Sequence, residues 1–142
     1  MGNDYIKSNE IREIKRKRFA LSYGKQIMEC GESFNDRCKC SQMLLNYLCE
    51  VFNIKDVKVI VYNSKRRLRG RAEVYGYYDY KNIHIYNKTA RKGDIVSIKS
   101  YVDTLLHEFM HHYDICYLGF ATSPHTNGFY HRIKDLKEKI IK

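Results

Sequence analysis

Between Asp103 and Asp114 the chain reads Asp-Thr-Leu-Leu-His-Glu-Phe-Met-His-His-Tyr-Asp. On a helix His107 and His111 lie about 40° apart around the axis, so both imidazoles reach one metal ion. Glu108 stands about 100° from His107, at the flank of that face, where a carboxylate meets a water instead of the metal. Two imidazoles on one cation beside a carboxylate that moves protons is an arrangement suited to hydrolysis.

A hydrolytic zinc takes three protein ligands and leaves a fourth position for water. His112 points about 140° away from His107, toward the core side, and reads as a packed or hydrogen-bonded histidine. Asp114 lies within about 20° of the His107 direction but beyond His111, placed to orient that histidine or to ligate directly. Asp103, one turn before His107, can orient His107 in the same way. The expected third ligand is His125. It follows Ser123 and Pro124, the only proline, which read as N-cap and first residue of a terminal helix. The stretch 117–122 is long enough to fold His125 back over the first helix. His131 reads as rim, and His84 as a surface residue on a strand.

The elements that must carry these side chains follow from periodicity. Opposite the histidines, Ile98, Val102, Leu105, Leu106, Phe109 and Tyr113 fall in one arc of roughly 100°, so one face of that helix is core and the other lines a cleft. Asp94 or Ser97 caps it, and it ends near Gly119. Phe129, Ile133, Leu136 and Ile140 form the core stripe of the terminal helix. Upstream, an N-terminal helix runs from Asn3 or Asp4 toward Met28 with a break near Gly24, and Ser41 precedes a helix with Met43, Leu44, Tyr47, Leu48, Val51 and Phe52 as its stripe. Residues 56–62, 72–80 and 83–86 read as strands, with 63–71 a basic loop and 79–82 a hairpin turn. The fold class is α+β: N-terminal helices, a three-stranded and mostly antiparallel sheet, the histidine helix and a C-terminal helix. The chain of 142 residues is one domain.

The net charge is +10. Basic residues gather at Lys15, Arg16, Lys17 and Arg18, and again at Lys65, Arg66, Arg67, Arg69 and Arg71. A balance of this sign favours polyanions, and these residues are candidates for contact with DNA. No helix-turn-helix, zinc finger or RNA-binding sheet motif accompanies the charge. Five cysteines, Cys30, Cys38, Cys40, Cys49 and Cys116, read as reduced thiols, and Cys38-Lys-Cys40 lacks the two-residue gap of a zinc knuckle. No apolar run approaches the roughly 18 residues that span a bilayer. The N-terminus has no apolar signal core, so the expected location is the cytoplasm, away from membranes.

His107-Glu108-Phe109-Met110-His111, followed by His125 and then Phe129 four residues on, resembles the SprT-like family of zincin metallopeptidases. Gly76-Tyr77-Tyr78-Asp79 and Ile83-His84-Ile85-Tyr86 resemble the hairpin that such domains place before the active-site helix. The resemblance covers roughly residues 33–142 and leaves 1–32 as an N-terminal helical extension. It implies a small zincin-like domain with one Zn2+ per chain held by His107, His111 and His125, and Glu108 as catalytic glutamate. The ending at Asp114 is also similar to a family of mitochondrial metallopeptidases. No zinc- or DNA-binding tail follows the core before Lys142, so the activity of DNA-dependent crosslink proteases is not carried over whole.

The expected function is therefore hydrolysis of peptide bonds in a protein or peptide substrate, with Tyr130 and Arg132, close to His125 in sequence, as candidates to stabilise the oxyanion. The strand at 83–86 is expected to hold an extended peptide along the sheet edge. The competing expectation is an inert zinc-containing protein that associates with nucleic acid.

Overall fold

The computed structural model describes residues 3–65, 67–69 and 72–141. The chain forms α1 (Asn3–Glu10), α2 (Ser22–Met28), α3 (Phe34–Phe52), β1 (Lys58–Lys65), β2 (Arg67–Arg69), β3 (Ala72–Val74), β4 (Gly76–Tyr78), β5 (Asn82–Lys88), α4 (Ile98–Cys116) and α5 (Asn127–Ile140). The class is α+β, as the periodicities predict.

The N-terminal region is two short helices rather than one. Residues 11–21 form no helix, because their backbone donors find side-chain partners elsewhere. Ile14 N–H donates to Asp135 Oδ2 at 3.0 Å, and Lys15 N–H to Tyr113 Oη at 3.1 Å. Within this stretch only Ile14 is buried, while Lys15, Arg16, Lys17 and Arg18 remain exposed. The third helix begins well before Ser41. Ser33 caps it by accepting from Asp36 N–H at 3.3 Å, and Asn53 closes it at φ 54°, a left-handed conformation that asparagine tolerates. Ser41 is interior instead, its hydroxyl 2.7 Å from Tyr101 Oη.

The main sheet has the order β1-β5-β4 and is mixed. β1 runs parallel to β5, with Val59 opposite Ile83 and Val61 opposite Ile85; β4 runs antiparallel to β5, with Tyr77 opposite His84. The expectation of a mostly antiparallel sheet fails because β2, β3 and β4 intervene between β1 and β5, which lets the chain re-enter in the same direction. Residues 67–69 and 72–74 pair as a separate antiparallel ribbon. The turn into β5 is built on Asp79, whose Oδ1 accepts from Lys81 N–H at 2.9 Å and Asn82 N–H at 2.6 Å, with Tyr80 at φ 72°.

One face of the sheet, with Val59, Ile83 and Ile85, packs under α3 and α4 in a core that includes Leu44, Leu45, Leu48, Leu105, Leu106 and Phe109. Phe52 joins the two helices, edge-on to Tyr113 at 5.0 Å. Each large apolar side chain buried in this way contributes about 1.5–3 kcal/mol. This core face anchors α4 and leaves His107 and His111 on the side turned away from it. Ser97 caps α4, accepting from Ser100 N–H at 3.2 Å.

The second face of the sheet is not the surface that the strand pattern predicts. His84 is buried between the rings of Tyr62 and Tyr77, stacked at 5.8 and 4.2 Å, and its nitrogens meet Tyr62 Oη and Asp79 Oδ2, both at 2.8 Å. Tyrosines on both neighbouring strands cover it. β4 also presses on α4. A Cβ at Gly76 would stand 2.6 Å from the His84 carbonyl oxygen and 2.9 Å from Thr104 Cγ2, so only glycine lets the strand pass this close.

Candidate metal centre

α4 presents His107 and His111 on its non-core face, and the segment after it returns His125 to them. His125 Nε2 lies 3.2 Å from His107 Nε2 and 3.0 Å from His111 Nε2. Ligand atoms of the three all fall within 4.8 Å of one another, the one such cluster of metal-ligating side chains found among the described residues. Phe129 packs against all three imidazoles, with ring centroids 5.1 Å from His107, 4.6 Å from His111 and 5.3 Å from His125.

His125 reaches this position from a loop, not from a helix. The expected cap at Ser123 and first turn at Pro124 are displaced: α5 starts at Asn127, and Thr126 caps it by accepting from Phe129 N–H at 3.0 Å. Ser123 cannot cap because its hydroxyl is already committed. It donates to Asp114 Oδ2 at 2.8 Å and lies 2.8 Å from His111 Nδ1. With its proton on Asp114, Ser123 Oγ accepts from His111 Nδ1–H. That fixes the tautomer whose Nε2 carries a bare lone pair, aimed at the other two imidazoles.

The electrostatics suit a cation. Burial, with His125 beside it, lowers the pKa of His107 to about 4; burial, with His107 and His125 beside it, lowers that of His111 to about 3. Both are neutral donors near pH 7. Three imidazole nitrogens form a donor set appropriate to Zn2+. Glu108 is buried, with Oε2 4.0 Å from His107 Nε2, and burial pushes its carboxyl up to about 7. A group with that value both accepts and returns a proton near neutrality.

Other predicted site residues are placed less simply. Asp114 is fully buried and supports His111 through Ser123, not by direct contact. Asp103 does not orient His107: its carboxylate turns to α5 and pairs with Lys137 Nζ at 2.6 Å. Arg132 cannot serve an oxyanion. It is fully buried, with its guanidinium spent on Asp114, Ser8 and Ile11. Tyr130 is exposed, its ring centroid 5.9 Å from His125 and 6.1 Å from His107. His112 lies in the core, with Nδ1 2.8 Å from Tyr78 Oη and Nε2 2.7 Å from the Lys55 carbonyl oxygen.

The sheet edge beside the histidines is β4, not the 83–86 strand. β5 is central, paired on both sides. Tyr86 N–H donates to the Tyr75 carbonyl, and Asp79 N–H to that of Asn82, so the alternation of an antiparallel pair turns the backbone groups of Gly76 and Tyr78 away from β5. Tyr77, Tyr78 and Tyr80 line the cleft with Glu108 and the three histidines.

Of the basic candidates, Lys15, Arg16, Lys17 and Arg18 are exposed beside α5, where Lys139 Nζ donates to the Arg16 carbonyl at 3.0 Å. Lys65 ends β1, Arg67 and Arg69 stand on β2, and Arg66 and Arg71 lie outside the described residues. The cysteines are free thiols. No described helix is long and apolar enough to cross a membrane.

Ser123 and Arg132 are the supporting residues that sequence reasoning misassigned. Ser123 before the only proline signals a cap, and Arg132 close to His125 in sequence signals an oxyanion donor; nothing in their spacing marks a link to His111. The chain matches no family model, no curated protein and no solved structure.

Proposed function

We propose that this chain is a zinc-dependent peptidase of the zincin kind, similar to the SprT-like family. One observation carries the reading: three imidazole Nε2 atoms converge with a buried, proton-ready carboxylate 4.0 Å from one of them, in a cleft beside β4, an edge strand of the sheet among the described residues. His107, His111 and His125 would hold the ion. Zinc, when bound, lowers the pKa of water and polarises a carbonyl.

The residues of the chain do the rest. The outward N–H and C=O groups of Gly76 and Tyr78 pair with an extended peptide, which lies along β4. Glu108 takes a proton from the water as its oxygen bonds to the peptide carbonyl carbon. It then delivers that proton to the amide nitrogen as the C–N bond breaks. Tyr130, exposed and with its ring 6.1 Å from His107 and 5.9 Å from His125, would donate to the oxyanion.

The test pairs zinc content per chain with cleavage of an unfolded protein. Glu108→Gln keeps zinc and loses about 10²-fold or more in rate, the share of a general base. His125→Ala loses stoichiometric zinc. Cleavage that survives Glu108→Gln refutes the mechanism.

A second reading has its own observation. The exposed run 15–18 and the α5 lysine Lys139 come together from distant parts of the chain. An inert zinc protein with a polyanion-binding face would hold zinc, cleave nothing and bind DNA with strong salt dependence.

A further inference from the structure

The N-terminal helix does not merely cover the domain. Ser8, in α1, is fully buried, and two paths lead from it to the histidine cluster. On the first, Arg132 Nη2 donates to Ser8 Oγ at 3.0 Å and to Asp114 Oδ2 at 2.8 Å. The same Asp114 oxygen accepts from Ser123 Oγ, which accepts from His111 Nδ1–H. On the second path, Ser8 Oγ lies 2.9 Å from Thr126 Oγ1, on the residue next to His125. Either hydroxyl can donate in this pair, and both are buried.

The seat for Ser8 is specific. Arg132 Nη1 donates to the carbonyls of Ser8 and Ile11, both at 2.6 Å. A Cβ at Gly128 would collide with the Ser8 carbonyl oxygen, so glycine there lets α1 close onto α5. Asp114 Oδ1 has no partner among the described residues, so Ser123 and Arg132 are the hydrogen-bond donors found for this carboxylate.

We infer that α1 is a built-in part of the metal site, with Ser8, Arg132, Asp114 and Ser123 as positioning residues for His111 and His125. None of the four touches the ion. Asp114 holds Ser123, Ser123 holds the His111 tautomer, and Ser8 fixes both Arg132 and the neighbour of His125. Buried groups of this kind restrict ligand orientation, and removing a supporting hydroxyl such as that of Ser123 or Ser8 costs metal affinity. The inference rests on the reading of the three histidines as a metal site, and not on peptidase activity.

The experiment uses the full chain and zinc itself, with affinity measured by competition against a chromophoric chelator. Ser123→Ala weakens zinc about 10- to 100-fold, as loss of such a supporting group does. Ser123→Thr, which keeps the hydroxyl, restores affinity. Ser8→Ala weakens zinc about 2- to 30-fold. The visible bands of the Co2+-substituted chain shift in Ser123→Ala and return in Ser123→Thr, a change that a purely structural role would not produce. Wild-type affinity and an unshifted Co2+ spectrum in both alanine variants overturn the inference. So does weakening in Ser123→Ala with none in Ser8→Ala, since positioning then stops at Asp114. A wild-type chain that binds no zinc removes the metal reading and this inference with it, and that result is distinct from the other two.

Discussion

Replacing Arg132 by methionine removes the guanidinium that donates to Asp114, Ser8 and Ile11 while keeping most of the side chain's length. Both members of the Arg132–Asp114 pair are completely buried, at 0% exposure and 2.8 Å. That burial decides the magnitude. An exposed pair contributes about 0–1 kcal/mol. Breaking a buried pair from one side costs about 3–5 kcal/mol, because the remaining charge keeps its desolvation and loses its partner. Set against the roughly 5–15 kcal/mol that holds a whole domain folded, such a loss is severe.

The loss also depends on pH. Burial pushes the Asp114 carboxyl up, and Arg132 and then Ser123 oppose it. Burial prevails even with Arg132 in place, and without Arg132 the carboxyl rises further. A carboxyl whose folded pKa exceeds its unfolded value favours the folded state below the unfolded value, and that contribution disappears as pH rises through the folded one. The variant therefore loses less at about pH 5 than at about pH 8. Urea unfolding of wild type and variant, with chelator present to exclude metal, measures both. A loss under about 1 kcal/mol at either pH would mean that the pair behaves as a surface bridge, and would refute the reasoning.

Two further outcomes are expected. Gly76→Ala drives a methyl into the His84 carbonyl and Thr104, so β4 separates from α4 at a cost of about 1–3 kcal/mol; an unchanged urea midpoint would contradict the contact. Asp79 is held down to about 2 by the Asn82 N–H first, then by His84 and the Lys81 N–H. Its folded pKa is depressed, so its contribution is present above the unfolded value and is lost as pH falls toward about 2. Asp79→Asn should flatten the acid limb of stability against pH, and an identical acid limb in both chains would count against this role.

The histidine helix was legible because burial on one side leaves a strict period on the other. Leu105, Leu106 and Phe109 mark the core face, and His107 and His111 fall opposite, whatever the rest of the chain does. His125 was legible from the need for a third ligand, although not its backbone. The capping rule is local, and at Ser123 a tertiary demand for the same hydroxyl overrode it, moving the cap to Thr126. The parallel pairing of β1 with β5 was not legible, since alternation reports which face is buried and carries no strand direction. Arg132 was misread for a related reason. Its nearness to His125 in sequence suggests a cation open to the site until α1 is seen to close over it.

The contacts of α1 join residues separated by more than 110 positions: Ser8 with Thr126, Ser8 with Arg132, Asp4 with Ala121. These are among the most distant pairings in the chain, so their loop-closure entropy is recovered only when both ends are present. During synthesis Ser8 emerges 118 residues before Thr126 and 124 before Arg132, and waits for both before its partners exist. The helix–sheet core of residues 34–116 can condense before then. The support behind His111 is thus completed only once residues 121–132 have been made and α1 has closed on them, so the order of the candidate metal site depends on both ends of this fold rather than on the helix–sheet core.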